Sequence, residues 1–263
     1  ADAVKFQTFK AEEVVTKTAP KADYQKRATT GSSQYEMIKA LELSEDEFRE
    51  LFHYCKRRKI MFLSAPFDSG SADFLNRLGV AAFKVSSGEL TNMPLLRQIA
   101  KYGKPIIMST GMATMAEVRE AVKTIYSTGN RKLILLHCTS NYPTDHSEVN
   151  LRAMETLKRE FRVPVGYSDH TEGIEIAIAA AAIGAKVIEK HFTLDKSLVG
   201  PDHQASLDPG QLMSLVKSIR NMESSMGNGV KVPQKSESAV AKVARKSIVA
   251  NCDIPKGAKL SMA

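Results

Sequence analysis

The sequence predicts an α/β fold whose parallel strands close into a (β/α)8 TIM barrel, followed by the start of a small second domain. Three observations lead there. Short β-branched or apolar runs recur seven times along the 263 residues, and amphipathic helical patterns lie between most of them. The repeat from strand to strand is roughly 20 to 30 residues, the size of one βα unit. Such alternation implies a parallel sheet, and this many units favours a closed barrel over an open one.

The strand-like runs are residues 4–7, 60–67, 81–87, 105–110, 133–139, 163–169 and 187–193. Between them, "SEDEFRELFHYCKRR" opens with Ser44 and has Glu47 three residues on, the signature of a reciprocal helix cap. "MAEVREAVKTIYSTG" runs at helical period and closes at Gly129. Residues 10–33, rich in Lys, Ala, Thr and Pro, have little apolar periodicity and are expected to form a long loop on the catalytic face. Seven strands are one short of a barrel, and the first begins almost at residue 1. The first barrel strand is therefore expected to be absent from this stretch, with the full protein starting about 30 to 40 residues earlier, one βα unit. The barrel domain spans residues 1–227, a polar linker 228–242, and the small domain starts at 243–263 with a short strand and a turn around Pro255 to Gly257.

Composition, with 43% hydrophobic and 25% charged residues, is ordinary for a globular protein with a sizeable core. The formal net charge of +8 is spread along helix-like segments and not interleaved with aromatics. A solvated basic surface is expected, not a nucleic-acid footprint, and an anionic small substrate fits the same charge. No apolar run reaches the roughly 20 residues that span a bilayer, and the N-terminal stretch has no signal pattern, so no membrane partner and a cytoplasmic location are expected. Cys55, Cys138 and Cys252 are too few and too scattered for a disulfide framework or a zinc cluster, and read as reduced thiols.

In a parallel barrel the chemistry gathers at the C-terminal ends of the strands. Those ends carry Lys5 and Gln7; Lys84, Ser86 and Ser87; Ser109 and Thr110; Thr139, Ser140 and Tyr142; Ser168, Asp169 and His170; Glu189, Lys190 and His191. The last run, "VIEKHFT", begins as a buried strand yet ends in three ionisable groups, which is costly unless they find partners. A lone strand-end histidine is ordinarily a hydrogen-bonded structural residue. Two on consecutive strand ends, His170 and His191, can also meet across a mouth and hold a divalent transition metal, so both readings stand. Lys5 and Lys84, enclosed by strand-like residues and hydroxyl groups, offer a cradle for phosphate or carboxylate. No Walker-type phosphate loop is present, and adjacent Ser168, Asp169 and His170 cannot form a hydrolytic relay as a local unit.

The runs "AVKFQTFK", "APKADYQKRATTG", "SAPFD", "FKVSSGEL", "IIMSTGMAT", "LLHCTSNYPT", "GYSDHTEG", "IEKHFTLDKSLVGPDHQASLDP" and "VARKSIVANCDIPKG" closely resemble bacterial N-acetylneuraminate (sialic acid) synthases, in order and over nearly the whole chain. The resemblance implies a (β/α)8 barrel followed by a small antifreeze-like (SAF) domain, a domain-swapped homodimer, and a divalent metal, usually Mn2+ with Mg2+ or Co2+ as alternatives. It implies an enzyme that condenses phosphoenolpyruvate with N-acetylmannosamine to give N-acetylneuraminate and phosphate, with C–O cleavage of phosphoenolpyruvate. Carried over by position, His170 and His191 would be the metal ligands. Lys5, Lys84, Ser87, Ser109, Ser140 and Ser168 would grip the phosphate and carboxylate, while Gln7, Tyr142 and Asp202 would position the amino sugar. Lys5, Lys84, His170 and His191 are thus the expected catalytic set.

The sequence departs from the family pattern in lacking the first strand and its glutamate, in stopping before an "RPG"-type segment of the SAF domain, and in having Ser140 where many relatives have asparagine. The nearest alternative is a synthase for a related nonulosonic acid, legionaminate or pseudaminate, acting on a different N-acetylated hexose. A weaker alternative is an inactive sugar-binding module.

Overall fold

The computed structural model describes residues 1–21, 33–200 and 202–259. Each of the seven apolar runs forms a strand: β1 Ala3–Thr8, β2 Met61–Pro66, β3 Phe83–Val85, β4 Ile106–Ser109, β5 Leu133–His137, β6 Val165–Asp169 and β7 Ile188–Lys190. All ladders are parallel, joining β1 to β2 and β3 through β7 in sequence order. β2 lies beside β3 without a ladder. The strands form a parallel half-barrel that curves until Lys5 Nζ of β1 reaches Glu189 Oε1 of β7 at 3.4 Å.

Helices cover the outside: α1 Ala11–Val14, α2 Gln34–Lys39, α3 Glu45–Arg57, α4 Ser69–Leu78, α5 Met93–Lys101, α6 Met115–Ser127, α7 Ala153–Phe161, α8 Glu175–Ala182 and α9 Pro209–Ser225. Both α3 and α6 begin with a full capping box, Ser44 with Glu47 and Thr114 with Glu117, so their first backbone donors are satisfied locally. Phe48, Leu75, Leu96, Ile99 and Ile125 from the helices meet Phe83, Val85, Ile106, Met108, Leu135 and Tyr167 from the strands in one core. Each such side chain contributes roughly 1.5–3 kcal/mol on burial. A rigid outer layer of this kind leaves the strand ends as the place where polar groups can be held still.

Residues Ala1–Ser225 form one compact unit and Met226–Ala263 another. The second contains a 3₁₀ turn at Lys235–Glu237, a helix α10 at Ser238–Ala244, and a turn closed by Ala258 N–H donating to Pro255 O at 3.1 Å. Three expectations are corrected here. The polar linker placed at 228–242 holds most of α10. The short strand expected in 243–263 is absent among the described residues: Val243, Ile248 and Val249 are exposed, and no neighbouring strand takes up their backbone groups. The loop expected at 10–33 begins instead with α1, because the Glu42 carboxylate accepts from Ala11 N–H at 3.0 Å and from Lys10 Nζ at 2.9 Å and pins the chain there. Most of "APKADYQKRATTG" lies outside the described residues. No helix among the described residues is long and apolar enough to cross a membrane.

Candidate active site at the strand ends

Alternation along a strand places every second side chain on one face, and parallel register decides which residues on neighbouring strands stand side by side. Ser168 of β6 is paired with Glu189 of β7, and Ser168 Oγ donates to Glu189 Oε1 at 2.9 Å. The same carboxylate oxygen lies 3.4 Å from Lys5 Nζ and 3.6 Å from Lys84 Nζ. Lys84, buried on β3, also donates to Ser109 Oγ at 2.7 Å and to Val85 O at 3.1 Å. Two ammonium groups thus face one carboxylate.

The electrostatics follow. Burial alone would raise the Glu189 pKa, but Lys5, Lys84 and the Ser168 hydroxyl outweigh it and take it down to about 2. Burial lowers Lys84 to about 8, against the pull of Glu189. The cluster therefore carries excess positive charge at neutral pH, in a setting where an anionic ligand is the natural complement.

Beside it stand the histidines, with ring centroids 5.3 Å apart and ring planes at 79°. His170 Nδ1 is 2.6 Å from Thr139 O, and since a carbonyl only accepts, Nδ1 carries the proton and Nε2 keeps its lone pair. Asp202 Oδ2, 3.3 Å from His191 Nδ1, sets that ring the same way. Burial drives His170 down to about 4, so it is neutral at working pH. The Tyr142 ring covers both, 4.2 Å from His170 and 5.5 Å from His191. Two imidazoles oriented through their Nδ1 atoms suit a divalent cation. Among the described residues no group of three or more His, Cys, Asp and Glu is placed to hold one.

Ser87, Cys138 and Ser140 converge on Gly111 at the end of β4. Gly111 N–H donates to Ser87 Oγ at 3.0 Å, and Ser87 Oγ is 3.2 Å from Cys138 Sγ. A Cβ at Gly111 would stand 2.3 Å from Ser140 Oγ and 2.9 Å from both Ser87 Oγ and Cys138 Sγ. Only glycine allows this approach. Ser86 Oγ, two residues after Lys84, is buried without a hydrogen-bond partner, a donor free for a ligand.

Of the residues expected from sequence, Lys5, Lys84, Ser109, Ser168, His170, His191, Tyr142 and Asp202 are brought together by the contacts above. Ser87 and Ser140 line the Gly111 approach, and Gln7 is exposed near the end of β1. Sequence reasoning noticed Glu189 as a strand-end charge without giving it a site role, and missed Gly111 and Cys138. The odd ionisable run in "VIEKHFT" was the signal for Glu189. Gly111 had only a weak "STGM" turn to announce it.

A model described as the NeuB family matches residues 1–231. The chain is 50% identical over 260 residues to the N,N'-diacetyllegionaminic acid synthase of Campylobacter jejuni, covering 98% of this chain and 78% of that one. It is 52% identical over 266 residues to the synthase of the same name from Legionella pneumophila, covering 99% and 75%. Against the human N-acetylneuraminate-9-phosphate synthase the identity is 40% over 266 residues, covering 100% and 73%. Among solved structures, the N-acetylneuraminic acid (sialic acid) synthetase of Leptospira borgpetersenii superposes with a TM-score of 0.78 at 33% identity, covering 92% of this chain and 80% of that one.

Proposed function

The chain belongs to the NeuB family, enzymes that condense phosphoenolpyruvate with a sugar, and from that premise we propose that its product is N,N'-diacetyllegionaminate. Removing the three carbons of phosphoenolpyruvate from that nine-carbon acid leaves a six-carbon aldose with two acetamido groups as acceptor. The sequence alone put N-acetylneuraminate from N-acetylmannosamine first, and legionaminate or pseudaminate second. The identities of 50% and 52% to legionaminic acid synthases, against 40% to the N-acetylneuraminate-9-phosphate synthase, favour the second.

The observation that supports the chemistry is the pairing of Lys5 and Lys84 with one carboxylate, Glu189. Phosphoenolpyruvate brings a phosphate and a carboxylate, which take up the excess positive charge and the Ser109 and Ser168 hydroxyls. With its pKa at about 2, Glu189 serves as a counter-ion facing both lysines, and is a poor base. His170 and His191 would hold a divalent cation, Mn2+ first, with Asp202 and Thr139 O fixing the rings. When bound, that cation supplies Lewis acidity at the acceptor's aldehyde oxygen. The methylene carbon of phosphoenolpyruvate attacks the aldehyde carbon, forming the new C–C bond. Water then adds at the former enol carbon, and phosphate leaves with its bridging oxygen.

Phosphate release from phosphoenolpyruvate, with product mass read alongside, tests the proposal. In the presence of Mn2+, a 2,4-diacetamido hexose is expected to give the higher kcat/KM. A preference for N-acetylmannosamine returns the assignment to N-acetylneuraminate, and no release with any N-acetylated hexose supports a sugar-binding module.

A further inference from the structure

Behind the two histidines, on the other face of the same strands, lies a closed ion pair that the chemistry above does not use. Asp169 and Lys190 are register partners in the β6–β7 ladder, and they are its last pair. Lys190 Nζ donates to Asp169 Oδ2 at 2.9 Å, with side chains 3% and 0% exposed respectively. Asp169 Oδ1 accepts from Thr171 N at 2.9 Å and from Thr171 Oγ1 at 2.8 Å, and Lys190 Nζ also donates to Thr171 O.

His170 and His191 are the first residues past that pair on their strands. Their carbonyls are taken by different neighbours, His170 O by Thr144 N at 2.9 Å and His191 O by Leu207 N at 2.8 Å. The ladder therefore makes no tie between the two histidine backbones themselves. The Lys190 side chain does: it grips the residue before His170 and the residue after it, while leading directly into His191. Because Cβ directions alternate, fixing Asp169, Thr171 and Lys190 on the outer face fixes where both imidazoles point on the inner one.

We propose that Asp169 and Lys190 are positioning residues that set the separation of His170 and His191 and thereby the affinity of the pair for a divalent cation. The inference rests on the metal role proposed for those histidines. Partners outside a coordination sphere that orient its ligands typically govern metal affinity by about ten- to a hundredfold.

The test is Mn2+ titration by calorimetry and by electron paramagnetic resonance, with thermal unfolding of the metal-free protein alongside. The double variant Asp169→Asn/Lys190→Met removes the cross-strand tie, leaves no buried charge unpaired, and keeps an acceptor for Thr171. It is expected to unfold cooperatively and to bind Mn2+ about ten- to a hundredfold more weakly than wild type, with a changed resonance at saturation. Affinity within twofold of wild type in the folded double variant overturns the proposal. Should that variant not fold, Asp169→Asn alone, which keeps both Thr171 bonds, is expected to weaken Mn2+ by about fivefold or more; unchanged affinity there overturns it equally. If wild type itself does not bind Mn2+, the metal role fails first and carries this inference with it, an outcome distinct from wild-type binding that the variants leave unchanged.

Discussion

On the inner face of β6 and β7 one carboxylate, Glu189, answers to two ammonium groups, whereas on the outer face Asp169 and Lys190 answer to each other. The outer pair is complete: three donors from Thr171 and Lys190 occupy Asp169, and the charges cancel. The inner cluster has a cation too many, an unpartnered Ser86 hydroxyl, and two imidazoles held at Nδ1, with His170 Nε2 meeting the Ser168 hydroxyl at a long 3.4 Å. The same two strands thus separate a locked structural pair from a cluster left open for a ligand. Neutrality and full hydrogen bonding mark the first, and surplus charge with spare donors marks the second.

The largest effect that sharpens this contrast is expected outside. Lys190→Met strands Asp169 in the interior without its counter-ion and should cost about 3–5 kcal/mol. Calorimetry should show the melting temperature falling by roughly 6–20 °C. Inside, Lys84→Met removes a charge whose burial is itself unfavourable and leaves Glu189 with Lys5 and Ser168, so stability should change far less. Phosphoenolpyruvate affinity should instead fall about ten- to a hundredfold, read by isothermal titration. Equal losses of stability from the two variants, with affinity unchanged in the second, would make the inner cluster as structural as the outer pair.

Proton titration gives a subtler separation. Lys84 has a folded pKa of about 8 against 10.5 for the ordinary group. Above about pH 8 it loses its charge, and phosphoenolpyruvate affinity should decline, approaching tenfold per pH unit. Stability should move the other way: between pH 8 and 10.5 the unfolded chain binds the extra proton, so this group's unfavourable contribution is relieved as pH rises. Glu189 also has a lowered folded pKa, so stability again rises with pH, in a lower window: its stabilisation is present above 4.5 and lost as pH falls toward 2. Opposed affinity and stability profiles that vanish together in Lys84→Met identify the inner lysine as their source; parallel profiles break the assignment.

The smallest effect is expected at Gly111→Ala. The added Cβ crowds the Ser87, Cys138 and Ser140 side-chain ends, which can swing aside, so the fold should hold at a cost of about 1 kcal/mol. Anion affinity should weaken severalfold as those hydroxyls leave their places. An unaltered affinity removes the Gly111 approach from the binding surface.

Much of this was legible in advance because it is local. The seven strands, the Ser44 cap of α3 and the α6 helix follow from apolar run length and capping residues within a few positions of each other. The small unit was less legible for the same reason. Ile248 and Val249 look like strand residues, but a strand exists only where another takes its backbone hydrogen bonds, and none does among the described residues.

The sequence by itself determined which strand ends carry chemistry, since polar residues after apolar runs in a βα repeat have one place to go. It could not say which of those residues share a pocket. Lys5 and Glu189 are 184 positions apart and meet only because the strand set curves around. Asp169 and Lys190 sit in the same strand-end motifs as His170 and Glu189, yet alternation turns them to the opposite face, where they close on each other. Register and curvature, which no single stretch of chain encodes, decided that one carboxylate would face two lysines while its sequence neighbour faced none of them.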